Sequence, residues 1–277
     1  MDLYRKNNLD CSRITTRNYS TSFSLGVRVL SAKYREGIYS IYGFVRYADE
    51  IVDTFFDQYQ RTIFGEFREE TFKAIDRGFS INPIIDSFQM AVRKYRIDIE
   101  LVEAFLTSME MDLDYDSYSP ELLKTYIYGS AEVVGLMCLR VFYFDEPEKY
   151  DRLVAPARKL GEAFQKVNFL RDAREDYDKK GRTYFQNIDF RNFTEETKQQ
   201  LEADIEKDFR DSMDGIRQLK KQVRFGVYLA YTYYIHLLQE SKKARPEEIL
   251  KKRYRITNTK KSYLLASAYL KNTLNLL

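Results

Sequence analysis

Two segments of the chain each carry two aspartates four residues apart, a spacing that places both carboxylates on one face of a helix. In the first segment the spacings are four, three and four residues, along Tyr42, Arg46, Asp49 and Asp53. Unpaired charge is costly in an otherwise apolar helix. Asp49 and Asp53 therefore require a cation, a cationic partner or water.

The second segment repeats this arrangement and adds amide oxygens. Its spacings are three, four and four residues, along Gln165, Asn168, Asp172 and Asp176, with Arg171 directly beside the row. If the two helices face each other across a bundle, four aspartates converge on a central cavity. A single Asp-x-x-x-Asp pair is expected by chance among 42 acidic residues. Two pairs, each with an arginine within a turn, favour a function.

The chemistry that suits such a site is the metal-assisted departure of a diphosphate. Mg²⁺ prefers oxygen ligands and is usually held by few carboxylates together with substrate phosphates, and arginines bind diphosphate through bidentate hydrogen bonds. The metal neutralises the leaving group as its bond to an allylic carbon breaks, and aromatic faces stabilise the cation left behind. The chain has 23 Tyr and 19 Phe, enough rings to line an apolar cavity.

The elements that must position these residues are predicted to be helices. Apolar residues recur at spacings of three and four from about Tyr34 to Phe56, and similar patterns cover 62–78, 84–95, 99–113, 120–143, 156–177, 195–220 and 223–242. Only 11 Gly and 5 Pro are present, which leaves few tight turns for a many-stranded sheet. No linker or repeat marks a boundary. We therefore expect one all-α domain over residues 1–277, a helical bundle with a central cavity.

Composition and charge predict a cytoplasmic protein. The net charge of +3 is too small to indicate a nucleic-acid partner, and the two cysteines form neither a Cys-x-x-Cys pair nor a disulfide framework. The amino terminus lacks the apolar run of a secretory signal, and no segment approaches the roughly 20 apolar residues that span a bilayer. A basic tail from Lys242 to Arg255 allows peripheral contact with a membrane. The sequence leaves the oligomeric state open.

The two acidic segments, residues 44–53 and 168–176, resemble the two signatures of the phytoene/squalene synthase family. Residues 20–24, 126–135 and 181–185 and the region that follows Tyr234 agree with the family in order and spacing. The resemblance covers about residues 18–256. It implies an isoprenoid-synthase helical fold around a hydrophobic tunnel.

The resemblance also implies roles for individual residues. The implied ligands of Mg²⁺, for which Mn²⁺ is an alternative, are Asp49, Asp53, Asn168, Asp172 and Asp176. The implied substrate-binding residues are Ser20, Thr21, Ser22, Phe23, Tyr42, Arg46, Gln165, Asn168, Arg171 and Tyr234. The catalytic set comprises the four aspartates with Arg46 and Arg171.

The family reaction joins two prenyl diphosphates head to head in two halves. One diphosphate ionises, and the double bond of the second molecule captures the cation to give a cyclopropylcarbinyl diphosphate. That intermediate ionises, rearranges, and either loses a proton to give phytoene or accepts hydride from NADPH to give squalene. We expect phytoene formation from two geranylgeranyl diphosphates, a step of carotenoid biosynthesis.

Three alternatives stay open. A squalene or dehydrosqualene synthase would use farnesyl diphosphate, with NADPH needed only for squalene. A chain-elongating prenyltransferase is disfavoured because such enzymes resemble an Asp-Asp-x-x-Asp pattern, whereas this chain has Asp49-Glu50 and Glu175-Asp176. A noncatalytic assembly or binding protein that keeps the fold would be marked by loss of aspartates, and all four are present.

Two positions depart from the family pattern. Gln186 stands where a proline commonly closes the flap motif, and Glu132 stands where a small residue is usual in the central helix. We expect these changes to affect the flap and the tunnel lining, and therefore substrate length more than reaction type.

Overall fold

Helices form every element of the described chain. A computed structural model describes residues 2–55, 59–115, 117–180, 194–249 and 254–276, without the side chains of residues 173–180 and 249. The helices are α1 (Leu3–Tyr19), α2 (Thr21–Arg28), α3 (Ala32–Thr54), α4 (Gln60–Arg77), α5 (Pro83–Tyr95), α6 (Ile99–Asp114), α7 (Pro120–Ile127), α8 (Val133–Tyr143), α9 (Pro147–Lys180), α10 (Glu195–Gln218), α11 (Lys221–Lys242), α12 (Pro246–Ile249) and α13 (Asn258–Thr273). The all-α prediction is confirmed.

Capping residues in the sequence mark several helix starts. The Ser20 hydroxyl accepts a hydrogen bond of 3.2 Å from the Phe23 backbone N–H at the start of α2. Asn82 caps α5 in the same way, and Pro83 occupies the first helical turn. Proline is favourable there because its missing N–H has no helical partner to lose. These signals place α2 and α5 where the sequence predicts a helix start.

Apolar periodicity misses α1 because the buried face of this helix is polar. Its buried residues are Asn8, Ser12, Thr15 and Thr16. Hydrogen bonds compensate for this burial. The Asn8 amide donates to Asp86 at 2.8 Å, and the Ser12 and Ser87 hydroxyls lie 2.5 Å apart. The helix therefore packs on α5 through polar contacts that a search for apolar residues does not detect.

The predicted helix at 156–177 begins nine residues earlier, at Pro147, so that Pro156 lies inside α9. An internal proline removes one helical hydrogen bond and usually marks a boundary. Here its ring packs against Gly215 of α10, where an added Cβ would lie 2.5 Å from Pro156 Cβ. The close approach of the two helices compensates for the lost hydrogen bond.

The predicted helix at 120–143 is divided by a π-helical turn, Tyr128–Glu132. This turn brings Gly129 against α6, where an added Cβ would lie 2.4 Å from the Ala104 carbonyl oxygen. The Glu132 carboxylate forms an ion pair with the exposed Arg158 of α9. The negative charge of Glu132 is thus paired with a cation at the junction of two helices.

One helical run, Pro120–Tyr143, is long and apolar enough by length and composition to cross a membrane, which differs from the sequence expectation. In this fold it is a central helix of the bundle. Val133, Met137 and Val141 are fully buried in the main hydrophobic core together with residues of α3, α5 and α6. Packing inside the bundle explains the apolar composition.

An aromatic cluster sets the orientation of α3. Phe44 stacks on Phe88 with ring centroids 3.8 Å apart, and Phe67 and Phe105 complete the cluster. Asp53 follows Phe44 by nine residues, which is two and a half helical turns. Burial of Phe44 therefore turns the acidic stripe of α3 away from this cluster.

A buried lysine fixes α9 against α10. The Lys166 ammonium contacts carboxylates of Glu162, Asp204 and Asp208. Burial lowers the pKa of Lys166, but the hydrogen bonds to these carboxylates outweigh it and raise the pKa above its ordinary value. The ammonium keeps its charge, and the ionic cluster anchors the helix that carries the second acidic segment.

Candidate active site

On α3, Arg46 lies at the centre of the first polar cluster. Its guanidinium contacts the carboxylates of Asp49 and Glu50. The Tyr19 ring lies 4.4 Å from the guanidinium carbon, and the Tyr19 hydroxyl donates to Glu50 at 2.9 Å. Burial lowers the pKa of Arg46, but the two carboxylates raise it further, so the net shift is upward. The cluster holds a permanent positive charge beside Asp49.

The second cluster joins α9 to α11. The Arg171 Nη2 donates to Asp172 Oδ2 at 2.6 Å, and Arg171 also hydrogen-bonds Tyr234. The Tyr234 hydroxyl donates to Asn168 Oδ1 at 3.2 Å, and the Asn168 amide donates to Gln165 Oε1 at 3.3 Å. Tyr234 thereby orients both an arginine and an amide of the second acidic segment.

Tyr42 lies between the two clusters. Its ring stacks on Phe23 at 4.5 Å, and its hydroxyl hydrogen-bonds Ser20. Burial raises the pKa of Tyr42 to about 12, while the hydrogen bond with Ser20 and the charge of Arg46 act in the opposite direction. Tyr234 of α11 lies near enough that its charge, when it ionises, would raise the pKa of Tyr42. The two acidic helices therefore contribute to one region, with Tyr42 and Tyr234 at its centre.

The amino-terminal turn of α2 borders this region and carries a cationic partner. The Lys261 ammonium of α13 lies 2.7 Å from the Thr21 hydroxyl. Burial lowers the pKa of Lys261, and in the part of the chain that the structure describes this lysine has no carboxylate partner. A helix N-terminus favours an anion because its backbone N–H groups point outward. This arrangement suits a diphosphate.

Sequence reasoning missed Lys261, Tyr19 and Glu50. The predicted basic tail ends at Arg255, whereas Lys261 follows the cap of α13 at Thr257. The capping residue Thr257, followed by Lys260 and Lys261, is the sequence signal that could have indicated the start of α13. No sequence signal connects Tyr19 to Glu50, since 31 residues separate them.

Lys261→Gln is expected to raise the KM for a prenyl diphosphate about tenfold with little change in kcat. A hydrogen bond to a charged group contributes about 1.5–3 kcal/mol, and about 1.4 kcal/mol corresponds to a factor of ten. Steady-state kinetics would measure both constants. Lys260→Gln is the matched control, since Lys260 faces the Tyr263 ring. Equal effects of the two substitutions would contradict the role of Lys261.

The structure describes only part of the predicted metal site. Asp49 and Asp53 are half-buried on α3, and Asp172 is half-buried on α9. The side chain of Asp176, the flap at 181–185 and Gln186 lie outside the described residues. Among the side chains that are described, no three of His, Cys, Asp or Glu form a metal-binding group. Convergence of four aspartates stays a prediction, although carboxylate and amide oxygens are the donors that suit Mg²⁺.

Comparisons with known proteins identify the family of this chain. The family model described as squalene/phytoene synthase matches residues 16–260. The chain is 26% identical to a phytoene synthase of Arthrospira platensis over 261 residues, which cover 85% of this chain and 84% of the relative. It is 30% identical to a presqualene diphosphate synthase of Rhodopseudomonas palustris over 158 residues, 56% of this chain and 55% of the relative.

A solved structure shows the same fold. The crystal structure of a dehydrosqualene synthase in complex with ligand matches with a TM-score of 0.84 at 22% identity. The match covers 96% of this chain and 98% of the other. At this identity the likeness concerns the fold alone.

Proposed function

Because the chain belongs to the squalene/phytoene synthase family, whose members are prenyltransferases, we propose that it condenses two geranylgeranyl diphosphates head to head to phytoene. The intermediate is the cyclopropylcarbinyl compound prephytoene diphosphate, and two diphosphates are released. The observation that supports this proposal is the pair of arginine–aspartate clusters on α3 and α9, with Tyr42 beside the first and Tyr234 beside the second. The phytoene synthase relative, which is matched over most of its length, supports the choice of substrate.

The cationic residues of the site bind the diphosphates. Lys261 contacts the amino-terminal turn of α2, where Ser20 and Thr21 provide hydroxyls, and Arg46 and Arg171 belong to the clusters on α3 and α9. Their positive charges balance a leaving group that gains negative charge as its bond to carbon breaks. The proposed ligands of Mg²⁺ are Asp49, Asp53, Asn168, Asp172 and Asp176. When bound, the metal supplies further neutralisation of the diphosphate.

Two stacked aromatic pairs shield the reacting carbons. Phe23 stacks on Tyr42 at 4.5 Å, and Phe164 stacks on Tyr234 at 4.0 Å. Their rings exclude water and provide π faces for an allylic cation. Burial raises the pKa of Tyr42 to about 12, so this phenol stays protonated at neutral pH and can donate a hydrogen bond to a diphosphate oxygen.

Purified protein supplied with Mg²⁺ and geranylgeranyl diphosphate is expected to form phytoene without NADPH. The conjugated triene of phytoene has its own ultraviolet spectrum, and chromatography against a standard would identify the product. The parallel reaction with farnesyl diphosphate is expected to be at least about tenfold slower in kcat/KM, a difference of about 1.4 kcal/mol in transition-state binding.

Other outcomes of this assay would select other functions. Squalene formed from farnesyl diphosphate only with NADPH would identify a squalene synthase, and a C30 triene formed without NADPH would identify a dehydrosqualene synthase. The presqualene diphosphate synthase relative favours this C30 alternative over about half of the chain. No product from either substrate, with folded protein and Mg²⁺, would favour a noncatalytic protein.

The exposed face of α13 supports peripheral contact with a membrane. Tyr263, Leu270 and Leu274 lie on one side of the helix and are 65%, 58% and 64% exposed. Lys260 and Lys271 lie beside this stripe. Apolar residues flanked by lysines favour binding to anionic lipid. Replacing the three apolar residues by serine is expected to reduce cosedimentation with phosphatidylglycerol vesicles at least fivefold.

The matched control for this membrane test is a double substitution of exposed apolar residues elsewhere, Phe79→Ser with Ile81→Ser. These two residues lie in the turn between α4 and α5. Cosedimentation that the control reduces as strongly as the α13 variant would contradict a specific role of α13.

A further inference from the structure

A separate cavity of about 390 Å³ lies between α1, α3 and α5. Gly37 and Ser40 of α3 line it. Arg46 follows Gly37 by nine residues, and Asp49 follows Ser40 by nine. Nine residues are two and a half helical turns, so the members of each pair point in opposite directions from the helix axis. The cavity and the acidic stripe therefore lie on opposite faces of α3. Its volume falls in the lower part of the range of ligand pockets, about 300–1,000 Å³.

Two residues of the cavity wall carry buried polar atoms that lack a partner. Ser40 and Gln89 are each 1% exposed, and neither Ser40 Oγ nor Gln89 Oε1 has a hydrogen-bond partner among the described residues. The Gln89 amide nitrogen donates to the Gly78 carbonyl at 3.1 Å and to Asp86 Oδ1 at 3.2 Å. These bonds fix the orientation of the amide, so its oxygen is the atom left over. An acceptor in this position requires a donor such as a hydroxyl.

The charged residues of the cavity wall carry a net positive charge. Arg5, Arg93 and Lys94 line the cavity together with one acid, Glu36. In the described part of the chain none of the three cations has a carboxylate within ion-pair distance. Arg93 instead donates to the backbone carbonyls of Ile75 and Asp76. Three cations against one carboxylate leave two positive charges, which match a doubly charged anion.

We propose that this cavity binds a small phosphate monoester that carries hydroxyl groups, such as a sugar phosphate. The phosphate would contact Arg5 and Lys94 at the exposed rim. Both buried atoms lie behind the cavity surface, so binding would displace the side chains that cover them; one hydroxyl would then donate to Gln89 Oε1, and Ser40 would rotate to bond a second one. Both parts of the ligand are required, because the rim provides charge and the buried wall provides hydrogen bonds. This site lies outside the proposed prenyl-transfer site.

Isothermal titration calorimetry with ribose 5-phosphate, inorganic phosphate and ribose would test the proposal on the full chain. Ribose 5-phosphate is expected to bind at least tenfold more tightly than either component. Arg5→Gln combined with Lys94→Gln should weaken this binding at least tenfold, and Ser40→Ala should weaken it severalfold with no loss of thermal stability. Raising the salt concentration should weaken the binding of the unaltered protein, because the rim charges are exposed.

The matched control removes two exposed charges from α10, as Lys207→Gln with Arg210→Gln, and should leave the affinity unchanged. No heat of binding for ribose 5-phosphate at 10 mM would overturn the proposal. Affinity that the Arg5 and Lys94 substitutions do not change would place any binding elsewhere, including the diphosphate site, and would also overturn it. Equal affinity for ribose 5-phosphate and inorganic phosphate would overturn the requirement for hydroxyl groups.

Discussion

Asp49→Asn and Asp172→Asn are each expected to reduce product formation at least about a thousandfold, while the helical circular-dichroism signal stays unchanged. Each substitution keeps the size of the side chain and removes one carboxylate charge. A metal held by these oxygens would stabilise the leaving group in the transition state, and loss of a single well-placed electrostatic contact there costs about 10²–10³ in rate. The loss should be larger here because the aspartate also partners an arginine of the site.

The matched control for these variants is Asp151→Asn on α9, an exposed aspartate on the same helix as Asp172. It should retain activity within about twofold, since exposed charges contribute little. A dependence on added Mg²⁺ that shifts to higher concentration in Asp172→Asn would connect this residue to the metal. Activity that both aspartate variants retain would remove them from the mechanism and leave the fold assignment intact.

Local patterns in the sequence predict much of α3 and α9. On α3 the apolar face and the acidic stripe have the same helical period, so burial of Phe44 against Phe88 also determines the orientation of Asp49. The spacing of Asn168 and Asp172 on α9 is similarly preserved by one helix. Residues on one helical face can be placed from their spacing alone, because helical geometry is regular.

Contacts between distant segments could not be predicted in this way. Lys261 reaches Thr21 across 240 residues of sequence, and Tyr19 reaches Glu50 from another helix. Such contacts depend on how helices pack, which no single periodicity encodes. The interior position of Pro156 has the same origin, because Gly215 of a different helix permits it. The sequence therefore predicts the residues of the acidic helices better than it predicts the residues from other helices that contact them.

Arg171→Lys is expected to lower kcat/KM about a hundredfold although it keeps the positive charge. The Arg171 guanidinium bonds Asp172 through Nε at 3.1 Å and through Nη2 at 2.6 Å, and it also bonds Tyr234. A lysine ammonium cannot reproduce this planar arrangement of donors. Burial lowers the pKa of Arg171, but the contacts with Asp172 and Tyr234 raise it further, so the native guanidinium carries its charge at neutral pH.

Arg152→Lys is the matched control on α9, because Arg152 is exposed and its partner Glu148 is an exposed residue one turn away on the same helix. It should change kcat/KM less than about threefold. A double-substitution cycle with Tyr234→Phe would then show whether Arg171 and Tyr234 act together. Residues within one hydrogen-bonded network have coupling energies of about 0.5–3 kcal/mol, whereas independent residues give additive effects. Additive losses would show that Tyr234 does not orient Arg171 for diphosphate binding.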